Sequence, residues 1–146
     1  GSFRSLDLLA MVTALKEKPA WKKVSCAVIT VGVNDAMKGY APGQATRFSK
    51  NITELLDQID KPVVVTTFPY SGQSSIVDND AAEEMSASIL SLQDVPTFDL
   101  ATFMRNEMAD RFPEAFISDG IHLTAEGYAV WIKGIEQAAS LCPKGQ

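Results

Sequence analysis

The clearest strand signal in this chain lies in Val24-Ser25-Cys26-Ala27-Val28-Ile29-Thr30-Val31-Gly32-Val33-Asn34-Asp35. Its first eight residues are mostly apolar and rich in β-branched side chains, and Gly32 closes the run. This pattern is typical of a short strand buried on both faces, as in parallel sheets. Asn34 and Asp35 follow directly, where the loops of an open parallel sheet place reactive groups. The sequence therefore predicts a buried strand with functional side chains at its carboxyl end.

Helical and strand-like segments alternate on both sides of this stretch. Hydrophobic spacing predicts helices over residues 5–18, 48–59, 80–92 and 103–112, a final helix from Thr124 to about 141, and strands over 24–31, 63–68 and 97–100. Asp80 and Glu83 fit a capping box, and Thr124 fits an N-cap. Because parallel strands need long crossover connections, the alternation predicts a three-layer α/β domain with a parallel sheet.

Composition favours one globular domain. The 146 residues are 46% hydrophobic and 21% charged, which is a poor match to disordered or fibrous chains. Thirteen Lys and Arg against eighteen Asp and Glu give a formal net charge of −5, which argues against a nucleic acid partner. The apolar run 24–31 is far shorter than the ~20 residues of a membrane helix, so no transmembrane segment is predicted. Cys26 and Cys142 form neither a metal motif nor a recognisable disulfide framework, and they leave the redox compartment open.

Only three strands are evident, whereas doubly wound sheets usually have about five. The chain opens directly on a helix, so we expect residues 1–146 to form a single domain whose first strand is missing at the N-terminus. A sheet without that strand exposes an apolar face or an unpaired edge.

Two loops carry the residues suited to chemistry. His122 is the one histidine in the sequence, and Asp119 precedes it by three residues, close enough to orient the ring as in a Ser-His-Asp triad. The alternative is a surface histidine beside a helix, with Asp119 serving a turn. Asn34 follows Gly32 and is placed to donate its amide to a developing oxyanion, or else to form an Asn-Asp turn. Asp35 is expected to bind local backbone rather than substrate.

These blocks, in this order, resemble those of the SGNH hydrolases, the superfamily of GDSL esterases and lipases. Residues 28–35 resemble its Gly-x-Asn-Asp block, and residues 119–124 resemble its Asp-x-x-His block. The similarity spans essentially the whole chain and implies a flavodoxin-like three-layer α/β/α fold. It also implies that Asn34 donates in the oxyanion hole, that His122 is the general base and that Asp119 orients it.

The resemblance extends to weaker assignments. Gly1 stands where the family has a glycine whose backbone N–H also faces the oxyanion, shortly before a helix. Gly1-Ser2 is equally what tag cleavage leaves behind, and both interpretations stay open. The loop 69–75 looks like the family's substrate-side loop, which assigns Tyr70 and Ser71, together with Gly32, to substrate binding.

One departure is large. The family's nucleophile lies in a Gly-Asp-Ser block, and the sequence contains none. Ser2, Ser5, Ser71, Ser74 and Ser75 are poor replacements, because none is placed to lie rigidly under the histidine. Three explanations stay open: a separate N-terminal segment of the same protein acts as partner, the chain has been truncated, or it is a degenerate relative. We favour the first, because an unpaired strand edge promotes aggregation.

The resemblance implies a serine ester hydrolase that acts on a small ester substrate through a triad whose serine is not in this chain. No metal or organic cofactor is implied. By itself the chain is expected to be inactive, since a triad without its nucleophile retains only residual catalysis. The alternative is an inactive module of the same fold that binds acylated glycans or lipids. A flavodoxin-like nucleotide binder is disfavoured, because no glycine-rich phosphate loop follows a strand.

Overall fold

Five α-helices and a small sheet of three strands make up the described part of the chain. The computed structural model describes residues 3–143. Its elements are α1 (Ser5–Leu15), β1 (Ala27–Thr30), α2 (Gln44–Gln58), β2 (Val63–Thr66), α3 (Asn79–Leu90), β3 (Thr97–Phe98), α4 (Leu100–Met108) and α5 (Ala125–Ala139), with short 3₁₀ helices at Pro19–Lys23, Lys38–Tyr40 and Ala109–Ala115. None of the helices within residues 3–143 has the length and apolar character needed to cross a membrane.

The sheet is parallel, as the alternation of elements predicts. Its strands lie in the order β1-β2-β3, with Ala27 opposite Val63 and Val65 opposite Thr97. Within the described residues β1 pairs on one side only, so it is an edge strand. Ile29 is buried, whereas Val28 and Thr30 are partly exposed. The strand is therefore less buried than expected for residues 24–31. Within residues 3–143, no further strand pairs with the free edge of β1.

Capping side chains move several element boundaries away from those predicted. The carboxylate of Asp78, not that of Asp80, caps α3, because it accepts a hydrogen bond from the backbone N–H of Ala81 at 3.1 Å. Asp99 similarly accepts from the backbone N–H of Thr102 and ends β3 after two residues. Thr124 caps α5, as predicted, by accepting from the backbone N–H of Gly127. These caps fix where each helix enters the domain.

Apolar side chains form two clusters, which correspond to the two groups of helices. The first joins α1, α2 and α3 to β1 and β2 through residues such as Val12, Phe48 and Met85. The second joins α4, α5 and the 3₁₀ helix Ala109–Ala115. A disulfide between Cys26 and Cys142, not foreseen from the sequence, ties the residue before β1 to the end of α5. The loops that follow β1 and precede α5 therefore belong to two elements held against each other.

Candidate active site

The loop before α5 holds Asp119 and His122 in direct contact. Asp119 Oδ2 lies 2.5 Å from His122 Nδ1, and Asp119 Oδ1 accepts hydrogen bonds from the backbone N–H groups of Ile121 and His122. The hydrogen bond from His122, aided by those backbone groups, lowers the pKa of Asp119 to about 2. Because an ionised carboxylate only accepts, Nδ1 donates to it, and the other ring nitrogen keeps its lone pair. The pair thus has the polarity of a base and its orienting carboxylate.

Backbone contacts hold this loop in place. The N–H of Thr124 donates to the carbonyl of Ala115 at 2.8 Å, and the N–H of Ile117 donates to the carbonyl of His122 at 2.9 Å. Gly120 has a φ of 72° and accepts from the backbone N–H of Ser71. A Cβ at Gly120 would lie 2.5 Å from Ser71 Oγ, so glycine is needed both for the turn and for this close approach. The histidine loop is consequently locked against the loop 69–75.

The loop after β1 places Gly32 and Asn34. Gly32 has a φ of 142°, and a Cβ there would lie 2.5 Å from the Phe68 ring. The side-chain amide of Asn34 donates to the backbone carbonyl of Phe3 at 2.8 Å. An amide nitrogen carries two hydrogens, so this contact orients the group and leaves one N–H for a further acceptor.

One cavity of about 260 Å³ brings the two loops together. Gly32, Asn34 and His122 all line it, and Phe68 and Pro69 contribute from the end of β2. Tyr128 and Trp131 of α5 form an apolar part of its wall. The arrangement places an imidazole with a free nitrogen and an oriented amide donor beside one space, as acyl transfer to water requires.

Asp35 lies next to this cavity but has a different role. Its carboxylate is buried and accepts from the backbone N–H of Ser5 at 2.9 Å and from Ser5 Oγ at 2.6 Å. Burial raises its pKa, against the lowering effect of these hydrogen bonds and of Arg4. The expected local backbone partner of Asp35 is therefore wrong, because its carboxylate binds the backbone N–H and hydroxyl of a residue thirty positions away, at the start of α1. Ser5 is held by the same bonds and is 1% exposed.

Other residues singled out from the sequence do not line the cavity that contains His122. Tyr70 is 5% exposed, packs against Phe68 and lies near Arg105, and burial raises the pKa of its phenol. Ser71 lines a separate cavity with Gly120, and its hydroxyl accepts from the backbone N–H of Gln73. Gly1, the second expected oxyanion donor, lies outside the described residues.

Tyr128 and Trp131 are not among the site residues predicted from the sequence. Trp131 packs partly buried against the second core cluster and also lines the cavity. The available signal was the spacing of three between two aromatic residues in the first turns of the helix that follows the histidine block. Within residues 3–143, no group of three or more His, Cys, Asp or Glu side chains is arranged to hold a metal ion.

Comparisons with known proteins identify the family and the fold of this chain. The model of the GDSL-like lipase/acylhydrolase family matches residues 2–130. A lipase/acylhydrolase from Enterococcus faecalis is similar in structure, with a TM-score of 0.70, 22% identity and coverage of 99% of this chain and 75% of that one. A GDSL-like lipase from Bacteroides thetaiotaomicron is also similar, with a TM-score of 0.73, 18% identity and coverage of 96% of this chain and 72% of that one.

A further structural neighbour is a catalytic mutant of an acetylxylan esterase from Geobacillus stearothermophilus. Its TM-score is 0.69 at 16% identity, covering 94% of this chain and 68% of that one. At these identities the structural matches establish the fold, while the family match covers most of the sequence. Among curated proteins, no match was found.

Proposed function

Because the chain belongs to the GDSL-like lipase/acylhydrolase family, we propose that it is a serine ester hydrolase in which His122 is the general base and Asp119 its orienting carboxylate. The observation that carries this proposal is the 2.5 Å contact between the two side chains, beside a cavity that Asn34 also lines. The polarity of the pair and its position at the carboxyl ends of parallel strands both support the assignment.

The proposed chemistry follows from these positions. A serine hydroxyl transfers its proton to the free nitrogen of His122 as its oxygen attacks the ester carbonyl. The tetrahedral oxyanion accepts a hydrogen bond from the remaining N–H of the Asn34 side chain. Protonated His122, stabilised by Asp119, then gives its proton to the leaving alcohol. Water repeats the sequence on the acyl-enzyme and releases the acid, which regenerates the serine.

We propose that the nucleophilic serine lies outside these 146 residues, in a segment that forms a single domain together with them. Among the described serines, Ser5 is buried against Asp35, and Ser71 and Ser74 accept hydrogen bonds from the backbone of their own loop. A Gly-Asp-Ser segment added beside the free edge of β1 would bring a hydroxyl to the end of the sheet where His122 lies. Gly1 remains our proposal for a second oxyanion donor.

The substrate class proposed is a small O-acyl ester. The apolar wall formed by Tyr128 and Trp131 suits a short acyl chain or a sugar face, and a cavity of about 260 Å³ is modest for a long lipid. We retain Gly32 as a substrate contact. Tyr70 and Ser71 are proposed to contribute indirectly, through the packing of the loop 69–75.

The test compares the 146-residue chain with a form extended by the sequence encoded before Gly1, on p-nitrophenyl acetate and longer p-nitrophenyl esters. We expect hydrolysis from the extended form, its loss in the extended His122→Ala variant and its retention in extended Lys22→Ala, an exposed control. Hydrolysis that survives His122→Ala would contradict the assignment of the base.

The alternative is a binding module that keeps the cavity without catalysis. It is favoured by one observation: within residues 3–143, no serine hydroxyl is hydrogen-bonded to His122. An extended form that binds acetylated oligosaccharides, measured by calorimetry, but hydrolyses none of the esters would support the module and contradict the enzyme.

A further inference from the structure

A second, smaller cavity lies on the other side of the Asn34–Asp35 link from the one that contains His122. Its volume is about 70 Å³, and Arg4, Asp35, Tyr40 and Arg47 line it with the side-chain amides of Gln44 and Asn51. A buried water needs roughly 10–15 Å³ of such volume, so about five waters, or one small polyatomic ion, fit the space.

Arg4 supplies the first positive charge of this cavity. Its guanidinium lies 4.3 Å from the centre of the Tyr40 ring, and its Nε is buried with no hydrogen-bond partner among residues 3–143. An unpartnered buried donor costs about 1–3 kcal/mol, and more when it belongs to a charged group. The same side chain lines the cavity, so its positive charge lies beside that space.

Arg47 supplies the second positive charge. Its Nη1 donates to the carbonyl of Pro42 at 2.7 Å, and its Nη2 donates to the carbonyl of Tyr40. These bonds use two of the five N–H groups of a guanidinium and fix its plane, so the remaining donors are already oriented. The N-termini of α1 and α2, which begin at Ser5 and Gln44, add positive potential on the same side.

Asp35 is the one carboxylate that lines the cavity, and both of its oxygens already accept from Ser5. Two guanidinium groups against one carboxylate leave a formal charge of about +1 around the space. We propose that this cavity binds a single small oxyanion, a phosphate, sulfate or carboxylate group, held by Arg4 and Arg47. Bidentate pairing of this kind is the geometry for which arginine is best suited.

The site also has a consequence for substrates. Asn34 lines the cavity that contains His122 and Asp35 lines the anion cavity, and the Cα atoms of consecutive residues are about 3.8 Å apart. An ester whose acidic group reaches past the Asn34–Asp35 link would engage both cavities. This extension rests on the proposed function, whereas anion binding itself does not.

Binding is measured on the 146-residue protein by calorimetry and thermal denaturation, with phosphate, sulfate or acetate against chloride at equal ionic strength. We expect saturable stabilisation by at least one of the three oxyanions, and affinity about tenfold or more lower in Arg4→Gln. Arg111→Gln, the same charge change on an exposed residue of another segment, should bind within about twofold of wild type. Asp35→Asn should bind more tightly, because it removes the opposing charge.

If Arg4→Gln is not folded by circular dichroism, Arg4→Lys takes its place, since it keeps the charge and loses the planar donor set. The proposal is overturned if all three oxyanions act like chloride, or if Arg111→Gln weakens binding as much as the Arg4 variant does.

A second arm separates a free anion from an acidic group on the substrate. In the extended, active form, phosphate should inhibit hydrolysis of an ester that bears a carboxylate and spare neutral p-nitrophenyl acetate if substrates use the site. Phosphate that binds and leaves both rates unchanged identifies the free anion as the ligand. Absence of any esterase activity would contradict the proposed function without altering the binding result.

Discussion

At the scale of single residues, Asp119 determines what His122 can do. Its carboxylate fixes the ring through Nδ1, and two backbone N–H groups fix the carboxylate in turn. An asparagine at position 119 would donate an N–H to Nδ1 of His122, which favours the tautomer whose proton is on the other ring nitrogen. We expect Asp119→Asn to lower kcat of the active form by about 10⁴-fold, as the same change does in a serine protease triad, with KM little altered. Steady-state kinetics with p-nitrophenyl acetate measures both values.

Asp110→Asn is the matched control, because Asp110 is an exposed aspartate on the preceding 3₁₀ helix. It should leave kcat within about twofold of wild type. Equal rates for Asp119→Asn and wild type would remove Asp119 from the catalytic pair.

The acid limb of the pH profile distinguishes the two partners. The pKa of Asp119 is lowered to about 2 by His122, so this carboxylate stays ionised throughout the range from pH 4 to 8. Histidine is the side chain that ordinarily changes charge between pH 5 and 8. We expect kcat/KM of the active form to fall on the acid side through protonation of the catalytic base, with no contribution from Asp119. A profile that is flat from pH 8 down to pH 4 would show that His122 is not the base.

Asp35 makes stability depend on pH in the opposite sense from most carboxylates. Burial raises its pKa, so the folded state binds the proton more tightly than the unfolded state. The resulting stabilisation is complete below the unfolded pKa and is lost as pH rises through the folded one. We expect the free energy of unfolding of wild type, relative to Asp35→Asn, to be larger at pH 4 than at pH 7.

Urea denaturation of both proteins at the two pH values measures this difference. Asp57→Asn, a change at an exposed aspartate on α2, corrects for general charge effects. A smaller difference at pH 4 than at pH 7 would reverse the sign assigned to Asp35.

The contacts of the site were predictable where the two residues are close in the sequence and not where they are far apart. The Asp119–His122 pair was predictable because the residues are three apart and need only a tight turn. The bond between Asp35 and Ser5 spans thirty residues and depends on where α1 packs, so the prediction of a local backbone partner for Asp35 was wrong. Trp131 was not predictable as a cavity residue, because one aromatic side chain serves both packing and cavity.

At the scale of elements, glycine in α5 reflects packing more than helix propensity. The first turn of α5 packs closely against the 3₁₀ helix Ala109–Ala115. A Cβ on Gly127 would therefore clash with the carbonyl oxygen of Ala115. That carbonyl also accepts from the backbone N–H of Thr124, which holds the histidine loop. Alanine is favoured over glycine inside helices by about 1 kcal/mol, so propensity alone predicts a gain.

We expect the opposite at Gly127: Gly127→Ala should lower the free energy of unfolding by about 1–3 kcal/mol, because neither backbone can move freely. Gly39→Ala serves as control, since a Cβ there meets nothing within 4 Å and should change stability by under about 0.5 kcal/mol. Guanidinium denaturation measures both. Stabilisation by Gly127→Ala would mean that the two elements are farther apart than the structure places them.

The order and type of the elements could be predicted, but their ends could not. Hydrophobic spacing locates α2 and α5 because each buries one face against a cluster. The ends depend on which polar side chain reaches a free N–H, and Asp78 and Asp80 are equally good caps by residue type. Packing decided between them. The helix predicted over residues 103–112 corresponds to α4, which ends at Met108, and Pro113 lies inside the 3₁₀ helix that follows.

For the molecule as a whole, the Cys26–Cys142 disulfide joins the two elements that position the candidate site. It connects residues 116 apart, a pairing that neither cysteine's neighbours indicate. Closing a loop of that length reduces the entropy of the unfolded chain, with native disulfides typically contributing about 2–5 kcal/mol. We therefore expect the double variant Cys26→Ser/Cys142→Ser to melt roughly 4–20 °C below wild type, since 1 kcal/mol corresponds to about 2–4 °C for a domain of this size.

The cross-link lies at the far end of α5 from the histidine loop. Fifteen residues of helix span about 22 Å, so the disulfide affects the persistence of the fold and not the geometry beside His122. Below the melting range, kcat of the active form should be the same in wild type and in the double variant. Reductant should lower the melting temperature of wild type and leave that of the double variant unchanged, and calorimetry with and without reductant measures both. Equal melting temperatures in all four samples would mean that packing of α5 against β1, and not the covalent link, maintains the fold.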